Sequence, residues 1–359
     1  MKPVIVQVVQ HLRPGGIETM ALDLLQQLQA KAEVHIFSLE GDAPTTLNAW
    51  PRLYAVQHQL HFFNKKSGLQ PALIGRLAHA LKRVGASAVH THHIGPLLYG
   101  GAAARLAGLN HVHTEHDAWH LNIESSRNLQ NMLIRTLKPQ LVADCSAVAE
   151  ALQQFYPFTR PTVIMNGVDT QRFLPPSLLE KRQCRAQLGL PQEGLLLGCA
   201  ARLEPVKGHA LLLEALRKAH SGVSLVLAGD GSLRHQLQDE TTRLGLNHRV
   251  FFLGHLDDTL PFYHAIDLFC LPSFNEGLPL SPLEAQACGV PAIVSDVGGC
   301  RSVVCPQSSQ LVPPGSAGAL ADAISSYQVS SQHNPRDFVV STGNLQKTAA
   351  AYFNLLAHS

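Results

Sequence analysis

The chain has 359 residues, which is too long for one core of typical size and favours two domains. Apolar residues make up 45% of it and charged residues 15%, so the composition is that of a well-packed globular protein and excludes a disordered one. The net charge of +2 gives no reason to expect nucleic acid as a partner.

The N-terminal sequence MKPVIVQVVQH contains an apolar stretch that is too short, and too interrupted by glutamine, for a signal peptide. No uninterrupted apolar run reaches the roughly 18 residues of a transmembrane helix. The seven cysteines are scattered, several inside apolar runs, and include no CxxC pair, which is typical of buried free thiols in a reducing compartment. We therefore expect a cytoplasmic protein.

Short runs rich in valine, isoleucine and leucine alternate with helical patterns along the whole chain. VIVQVV precedes a helix with apolar residues at three- and four-residue spacing, namely Ile17, Met20, Leu24, Leu25 and Leu28. Further strand candidates are AEVHIFSL, SAVHTH, HVHTEH, LVADCS, TVIMN, GLLLGCA, VSLVLAG, RVFFLG, LFCLPS and PAIVSD. Strands that alternate with helices predict parallel sheets covered on both faces. Each half should therefore be a doubly wound α/β domain.

The junction between the two halves is expected in MNGVDTQRFLPP, where Asn-Gly and Pro-Pro interrupt the pattern. We expect an N-terminal domain over residues 1–168, a C-terminal domain over 169–340 and a final segment over 341–359. Ligands of open parallel sheets bind beyond the carboxyl ends of the strands, so two such domains facing each other would form a cleft.

Two loops after predicted strands have residues suited to a phosphate. Gly15 and Gly16 precede the first helix, where the backbone can approach a ligand closely and the helix N-terminus favours an anion. A tight turn explains these two glycines about as well. Arg202 and Lys207 follow the strand GLLLGCA and could neutralise a diphosphate. The alternative is that they are two solvated cations around Glu204.

The segment NEGLPLSPLEAQAC contains two carboxylates at the start of a predicted helix. Ser281 fits the N-cap, Pro282 the first helical position and Glu284 the third, which predicts a capping box. Glu276 has no such structural role, because it lies in the loop before the helix. A carboxylate beside free N–H groups, here those of Gly277 and the next residue, is a plausible site for a polyol and a phosphate.

Histidines form a third group. HTHH (90–93) and HVHTEHDAWH (111–120) place seven histidines at the ends of two strand candidates. Imidazoles in this number could bind zinc, but they lack the HExxH spacing of a helical zinc site. His116, with Asp117 beside it at a strand end, is the best placed to enter a cleft.

NEGLPLSPLEAQACGVPAIVSDVGG resembles the E-x7-E signature of the retaining glycosyltransferases of family 4. PGGIE, HTEHD, VIMNGVDTQRF, ARLEPVKGH, LVLAGDGSLR and VFFLGHL are similar to further segments of that family in the same order, so the resemblance covers nearly the whole chain. It implies an α/β protein of GT-B architecture, with two doubly wound Rossmann-like domains facing an interdomain cleft. It also implies that the helix LQKTAAAYFNLL crosses back to the first domain.

The resemblance implies roles for individual residues. Arg202 and Lys207 would clamp the diphosphate of a donor, and Glu284 would accept hydrogen bonds from the nucleotide ribose. Glu276 and His116 would act at the sugar, Glu276 on the hydroxyls near the reacting carbon. Backbone expected near the donor belongs to Gly15, Gly16, Gly254, Gly277, Leu278 and Pro279. The donor loop reads NEGLPLSP where the family often has EGFGLP, which puts the shape of the sugar pocket in doubt.

The implied reaction is transfer of a sugar from a nucleoside diphosphate sugar, here expected to be a uridine one, to a glycan or lipid-linked acceptor of a cell-surface polysaccharide or lipopolysaccharide. No cofactor or metal is expected, because Arg202 and Lys207 would replace a cation. The basic amphipathic segment over residues 62–83 could rest on the inner face of the membrane. The alternative is an ordinary helix that packs on the sheet with a solvated basic face.

Three other functions stay open. A GT-B sugar-nucleotide epimerase would use the same clamp without an acceptor, and a nucleotide-sugar-binding protein would lack catalysis. Retention of Glu276, Lys207 and His116 together argues against a decayed enzyme. A Rossmann dehydrogenase is the least supported, since no GxGxxG follows the first strand.

Overall fold

The computed structural model describes residues 2–327 and 333–357. The chain folds into two compact units. Unit 1 comprises Met1–Asn166 and Leu345–Ser359, and unit 2 comprises Gly167–Asn344. The boundaries thus fall two residues before and four residues after those expected at 168 and 340. Parts of the three expected segments, at residues 1, 328–332 and 358–359, lie outside the described residues.

Unit 1 contains a parallel sheet of seven strands in the order β3-β2-β1-β4-β5-β6-β7. The strands are β1 (Val4–Val9), β2 (Glu33–Ser38), β3 (Leu60–Phe62), β4 (Ala88–His92), β5 (Asn110–Glu115), β6 (Gln140–Ala143) and β7 (Thr162–Val163). The helices are α1 (Gly16–Leu28), α2 (Ala43–Ala49), α3 (Ala72–Arg83), α4 (Ile94–Pro96), α5 (Ala102–Ala107), α6 (Glu124–Leu137) and α7 (Ser146–Phe155). Further helical turns span Pro51–Gln59, Leu97–Gly101 and Trp119–Asn122.

Unit 2 contains a parallel sheet of six strands in the order β10-β9-β8-β11-β12-β13. The strands are β8 (Leu195–Ala200), β9 (Val223–Ala228), β10 (Val250–Gly254), β11 (Leu268–Leu271), β12 (Ala292–Ser295) and β13 (Gln310–Val312). The helices are α8 (Leu178–Gln187), α9 (His209–Lys218), α10 (Arg234–Arg243), α11 (Leu260–Ala265), α12 (Ser281–Ala287), α13 (Ala317–Ser326) and α14 (Pro335–Thr342). Helical turns span Pro205–Lys207 and Gly298–Val303.

The two sheets confirm the prediction of two doubly wound α/β domains, and every predicted strand is present. In β1, Ile5 and Val9 enter one core cluster with α1, while Val6 and Val8 enter another with α3. Alternate residues of a strand point to opposite faces, so helices cover this sheet on both sides. This explains why apolar residues occur at adjacent positions of β1 and not only at alternate ones. The sequence reading missed β3 and β13, whose three residues each are too short for a periodic signal.

The last helix, α15 (Leu345–Ala357), belongs to unit 1 and packs against α1, β4 and β5. The hydroxyls of Tyr352 and Thr114 lie 3.0 Å apart, and Asn110 donates to the carbonyl oxygen of Leu355 at 2.9 Å. Tyr352 is completely buried. The C-terminal helix therefore contributes directly to the core that covers one face of the first sheet.

The basic amphipathic segment forms α3 over its second half. Leu73, Leu77 and Leu81 are buried in the core of unit 1, whereas Arg76 and Arg83 are exposed. This is the arrangement of an ordinary helix with a solvated basic face. None of the helices in the described parts of the chain is both long and apolar enough to cross a membrane.

All seven cysteines lie within the described residues and are free thiols, and six of them are buried. This confirms the prediction from their scattered positions in apolar runs. Burial raises the pKa of Cys145 and that of Cys199 to about 12. These thiols therefore act as small apolar side chains of the core rather than as nucleophiles.

Histidines form part of the core of unit 1 on β4 and β5. Thr91 Oγ1 lies 2.8 Å from His111 Nε2 and 2.9 Å from His113 Nδ1. His90 Nε2 lies 2.8 Å from Thr114 Oγ1. All five side chains are buried. Burial, together with the charge that each histidine would place on its neighbours, lowers the pKa of His90 well below its ordinary value, and burial lowers that of His111 to about 3.

The lowered pKa values of His90 and His111 predict that the stability of unit 1 falls in mild acid. His90 and His111 stay neutral in the folded protein, because their pKa values are lowered there, but bind protons near pH 6.5 once unfolded. Stability that is present above pH 6.5 is therefore lost as the pH falls toward the lowered folded pKa values, by up to about 1.4 kcal/mol per pH unit for each histidine. Scanning calorimetry between pH 7.5 and 5.0 should show this loss. His111→Gln should reduce the slope and His58→Gln, at an exposed position, should not. A melting temperature independent of pH in this range would contradict the account.

Candidate functional site

In unit 2 the strand order reverses between β8 and β11, because the chain runs outward to β9 and β10 and then returns to the other side of β8. Ligands of doubly wound sheets bind in the crevice at such a reversal. Arg202 and Lys207 follow β8, and Glu276 follows β11. The two loops are joined directly, since Phe274 N donates to the carbonyl oxygen of Val206 at 2.8 Å. The topology therefore brings together the predicted residues of two distant segments.

Lys207 and Glu276 form the central contact of this site. Lys207 Nζ lies 2.6 Å from Glu276 Oε1, and the Lys207 and Glu276 side chains are 19% and 6% exposed. Ser273 Oγ donates to the same carboxylate oxygen at 2.6 Å. Each charge is largely removed from water, so each depends on its partner. The alternative of two solvated cations around Glu204 is therefore wrong for Lys207, while Arg202 is exposed on the same loop.

Beside this ion pair lie polar groups without a partner among the described residues. Oε2 of Glu276 accepts no hydrogen bond, in contrast to Oε1. The backbone N–H groups of Gly277 and Leu278 donate none within the described chain either, although both residues are buried. Buried backbone donors are rarely left unpaired in proteins. One carboxylate oxygen and two adjacent amides thus form a set of acceptor and donors suited to a polar, anionic ligand.

The loop that contains Glu276 is held by the turn after β12. Gly299 N donates to the carbonyl oxygen of Gly277 at 2.7 Å. Gly298 has a φ of +50°, and a Cβ atom there would lie 1.8 Å from the carbonyl oxygen of Glu276. Only glycine permits both this backbone conformation and this approach. The pair Gly298-Gly299 therefore supports the position of the carboxylate.

The loop with Arg202 and Lys207 is held by the turn after β9. A Cβ atom on Gly231 would lie 2.6 Å from the carbonyl oxygen of Leu203. Ser232 Oγ donates to the carboxylate of Glu204 at 2.7 Å. Glycine in GDGSLR thus allows two backbone segments to approach each other, in addition to forming the turn.

The predicted capping box at α12 is wrong. The helix begins at Ser281, and the preceding Leu280 already has helical φ and ψ of −83° and −30°. Ser281 is therefore inside the helix, where its side chain cannot act as an N-cap. The carboxylate of Glu284 instead accepts a hydrogen bond from the hydroxyl of Tyr263 at 2.6 Å. Pro282 is the second residue of the helix, one position later than predicted.

The remaining donor-side positions lie in the same unit. Pro279 is buried directly after Leu278. Gly254 ends β10 with a φ of +74°, and its carbonyl oxygen accepts a hydrogen bond from Gly229 N at 2.7 Å. Gly254 therefore has a turn function of its own, next to the glycine turn after β9.

Gly15, Gly16 and His116 belong to unit 1. Gly15 precedes α1, and a Cβ atom there would lie 2.5 Å from Glu18 Oε2. The N-terminus of α1 thus already has a carboxylate beside it, whereas a Cβ atom on Gly16 would meet nothing within 4 Å. The anion site predicted here would have to tolerate the charge of Glu18.

His116 is buried at the carboxyl end of β5. His116 Nε2 lies 3.0 Å from His92 Nδ1, and His116 Nδ1 lies 3.5 Å from Asp144 Oδ2. Asn166 Nδ2 approaches the same Nδ1 atom at 3.4 Å. Both ring nitrogens are therefore near polar groups of unit 1. No group of three or more histidine, cysteine, aspartate or glutamate side chains among the described residues could hold a metal ion.

Sequence reasoning missed several residues of the site. Ser273 and Gly298 lie within or next to the segment that carries the carboxylates, and the pair Gly298-Gly299 directly after a strand was a usable signal. Tyr263 and Asp144 gave no signal, since their contacts join segments that lie far apart in the sequence.

Two doubly wound units, one with a cation–carboxylate pair at its strand reversal, define a two-domain α/β protein suited to an anionic, hydroxyl-bearing ligand. Residues 14–172 match the family model Glycosyltransferase Family 4, and residues 180–336 match the model Glycosyl transferases group 1. The chain belongs to the glycosyltransferases that resemble family 4 and have the GT-B fold.

Known proteins extend this finding. The putative glycosyltransferase EpsF of Bacillus subtilis is 28% identical over 81% of this chain and 79% of its own length. An Escherichia coli enzyme named UDP-Gal:alpha-D-GlcNAc-diphosphoundecaprenol alpha-1,3-galactosyltransferase is 31% identical over 62% of this chain and 61% of its own. The structure of Anabaena HepE in complex with UDP superimposes with a TM-score of 0.84 at 23% identity, over 100% of both chains. Other relatives are named for lipopolysaccharide core and O-antigen biosynthesis.

Gly298→Ala tests the support of the Glu276 loop. The added Cβ would collide with the Glu276 carbonyl oxygen at a positive φ, so we expect unit 2 to lose about 1–3 kcal/mol of stability. Calorimetric unfolding measures this loss. Gly222→Ala is the matched control, because the nearest atom to its Cβ would be 3.6 Å away. Equal melting temperatures for the two variants would contradict the assigned contact.

Proposed function

We propose that the chain is a retaining, metal-independent glycosyltransferase that moves a sugar from a UDP-linked donor to a glycan or lipid-linked acceptor in cell-surface polysaccharide or lipopolysaccharide assembly. The observation that carries the proposal is the Lys207–Glu276 pair at the strand reversal of unit 2, beside the amides of Gly277 and Leu278, which have no partner in the part of the chain that the structure describes. Cations, amides and a carboxylate in one crevice match the charges and hydroxyls of a nucleotide sugar.

Arg202 and Lys207 are the proposed ligands of the diphosphate. Arg202 is exposed and offers a planar set of N–H donors, while Lys207 acts as a point charge. A diphosphate carries more negative charge than the carboxylate of Glu276. Donor binding is therefore expected to draw Lys207 Nζ from Glu276 toward the phosphates, while Ser273 keeps its bond to Glu276.

Glu276 is the proposed acceptor of hydrogen bonds from the donor sugar. Its Oε2 atom is unpaired among the described residues, and the adjacent amides of Gly277 and Leu278 can bind the sugar or the leaving phosphate. Glu284 is the proposed ligand of the ribose, and Gly254 the proposed neighbour of the base. From unit 1, the proposed contacts are Gly15, Gly16 and His116.

The proposed chemistry is electrostatic. The bond between the anomeric carbon and the diphosphate oxygen breaks through an oxocarbenium-like state, and the developing negative charge on the phosphate requires preorganised cations and N–H groups. Arg202, Lys207 and the two amides would supply them. Attack on the same face, with the acceptor's proton taken by the leaving phosphate, would retain the configuration. Glu276 then needs no role as a covalent nucleophile, which fits a carboxylate already bound to Lys207 and Ser273.

Two relatives support the choice of donor and acceptor. HepE is described in complex with UDP, and the Escherichia coli galactosyltransferase is named for UDP-galactose and a diphosphoundecaprenol-linked acceptor. We extend the uridine diphosphate and the lipid-linked type of acceptor to this chain. For an acceptor in an anionic membrane, the exposed basic residues of α3 are the proposed peripheral contact.

The diphosphate clamp predicts stabilisation by UDP. A nucleotide that binds only the folded state raises the melting temperature, by the equivalent of about 2.7 kcal/mol at a hundred times its dissociation constant. Thermal-shift measurements with UDP, GDP and ADP, each with and without EDTA, should show a rise for UDP that EDTA leaves unchanged. Lys207→Gln, which can still bind Glu276, should weaken the rise, and Lys218→Ala on the surface should not. No rise with any diphosphate, or one abolished by EDTA, would contradict the proposal.

Glu276→Gln tests the role of the carboxylate in transfer. The amide is isosteric but uncharged, so we expect release of UDP from the donor to fall by about a hundredfold or more while UDP binding is kept. The substrate is the UDP sugar that gives the largest thermal shift. Glu214→Gln, at a half-buried position of α9 where the carboxylate pairs with Arg217, is the control. Unchanged turnover in Glu276→Gln would exclude Glu276 from the reaction.

A further inference from the structure

Tyr263 is a buried phenol in the core of unit 2 that no part of the proposed reaction yet uses. It lies in α11 and has no exposed surface. Its ring makes edge-to-face contacts with Phe262 and Phe173, at centroid distances of 5.2 and 5.8 Å, and a tilted contact with Phe269 at 6.1 Å. These contacts fix the ring, and therefore the direction of its hydroxyl.

The hydroxyl of Tyr263 points at the carboxylate of Glu284. It donates to Oε2 at 2.6 Å, within the range of a short charge-assisted hydrogen bond. Burial, and after it the charge of Glu284, raises the pKa of Tyr263 well above its ordinary value. The phenol therefore stays protonated at every working pH, and it can only be the donor in this contact.

We propose that Tyr263 is a positioning residue for nucleotide recognition, because it holds the carboxylate of Glu284 in the orientation that accepts hydrogen bonds from the ribose hydroxyls. The inference rests on the proposed function, in which Glu284 binds the ribose. The role of Tyr263 explains how the flexible side chain of Glu284 can be oriented for the ribose. Tyr263 does not touch the nucleotide in this proposal and acts only through Glu284.

The physical argument concerns conformational freedom. A free glutamate side chain has three rotatable bonds, and its ordering on binding costs free energy that opposes affinity. The bond from a rigid phenol removes much of that freedom before the ligand arrives. A carboxylate has about four acceptor positions, and the phenol occupies one of them.

The consequence is specific to the ribose. Without the phenol hydroxyl, the diphosphate clamp and the base contacts stay as they are, but the carboxylate loses the hydrogen bond that orients its Oε2 atom. Tyr263→Phe should therefore weaken the binding of UDP more than the binding of a nucleotide that lacks one ribose hydroxyl. A role of Tyr263 in packing alone would change the stability of unit 2 without this difference.

The experiment is calorimetric titration of UDP and 2′-deoxy-UDP into wild-type protein and Tyr263→Phe. We expect Tyr263→Phe to lower the affinity for UDP by about tenfold and that for 2′-deoxy-UDP by much less, so that the discrimination between them narrows. Tyr327→Phe is the matched control, since it removes another phenol hydroxyl of unit 2, one that donates to the carbonyl oxygen of Asp267 at 3.3 Å. This control should leave the discrimination unchanged.

A double-mutant cycle with Glu284→Gln isolates the contact from any loss of stability. In the Glu284→Gln background, Tyr263→Phe should have almost no further effect on the discrimination. If Tyr263→Phe keeps the wild-type discrimination, or changes it equally in both backgrounds, the positioning role is overturned while UDP binding and the proposed function stand. Failure of the wild-type protein to bind UDP at all would overturn both.

Discussion

The ion pair between Lys207 and Glu276 is the contact on which the rest of the site depends. Its two partners lie on the loops after β8 and β11. These loops are neighbours because the reversal of strand order places β11 beside β8. A largely buried charge is stable only with a partner, so each loop fixes the other. Gly231 and Gly298 allow other backbone segments to approach closely enough to support these loops. Strand order, glycine positions and charge pairing therefore specify one geometry.

The ion pair also explains how the charges of Lys207 and Glu276 can be held largely away from water before a ligand binds. Lys207 is neutralised by Glu276, and Glu276 has a second donor in Ser273. In the proposed complex, a diphosphate would take the lysine, and the carboxylate would keep one hydrogen bond and gain those of the sugar hydroxyls. Such an exchange would leave no buried charge unpaired at either stage, which would avoid the several kcal/mol that an isolated buried ion costs. In the proposed ribose contact, Tyr263 supports Glu284 with a hydrogen bond, as Ser273 supports Glu276.

The fold was largely predictable, because buried parallel strands leave continuous apolar runs in the sequence. The placement of the residues proposed to clamp the diphosphate was predictable for a related reason, since polar residues directly after such strands meet at one edge of a sheet. Their pairing was not, because Lys207 and Glu276 are far apart in the chain. The prediction that Ser281 is an N-cap was wrong because it used only the local cap pattern, whereas the helix begins one residue earlier than that pattern implies. The hydrogen bond from Tyr263 to Glu284 could not be predicted either, because no local pattern indicates it.

The most direct test of the account is a crystal structure of the protein with UDP. We expect a diphosphate oxygen within about 3 Å of Lys207 Nζ, and a distance from that nitrogen to Glu276 Oε1 clearly longer than the present 2.6 Å. The bond from Ser273 to Glu276 should persist. UDP bound away from the loops after β8 and β11, with the Lys207–Glu276 pair intact, would contradict the central claim that this pair marks the nucleotide site.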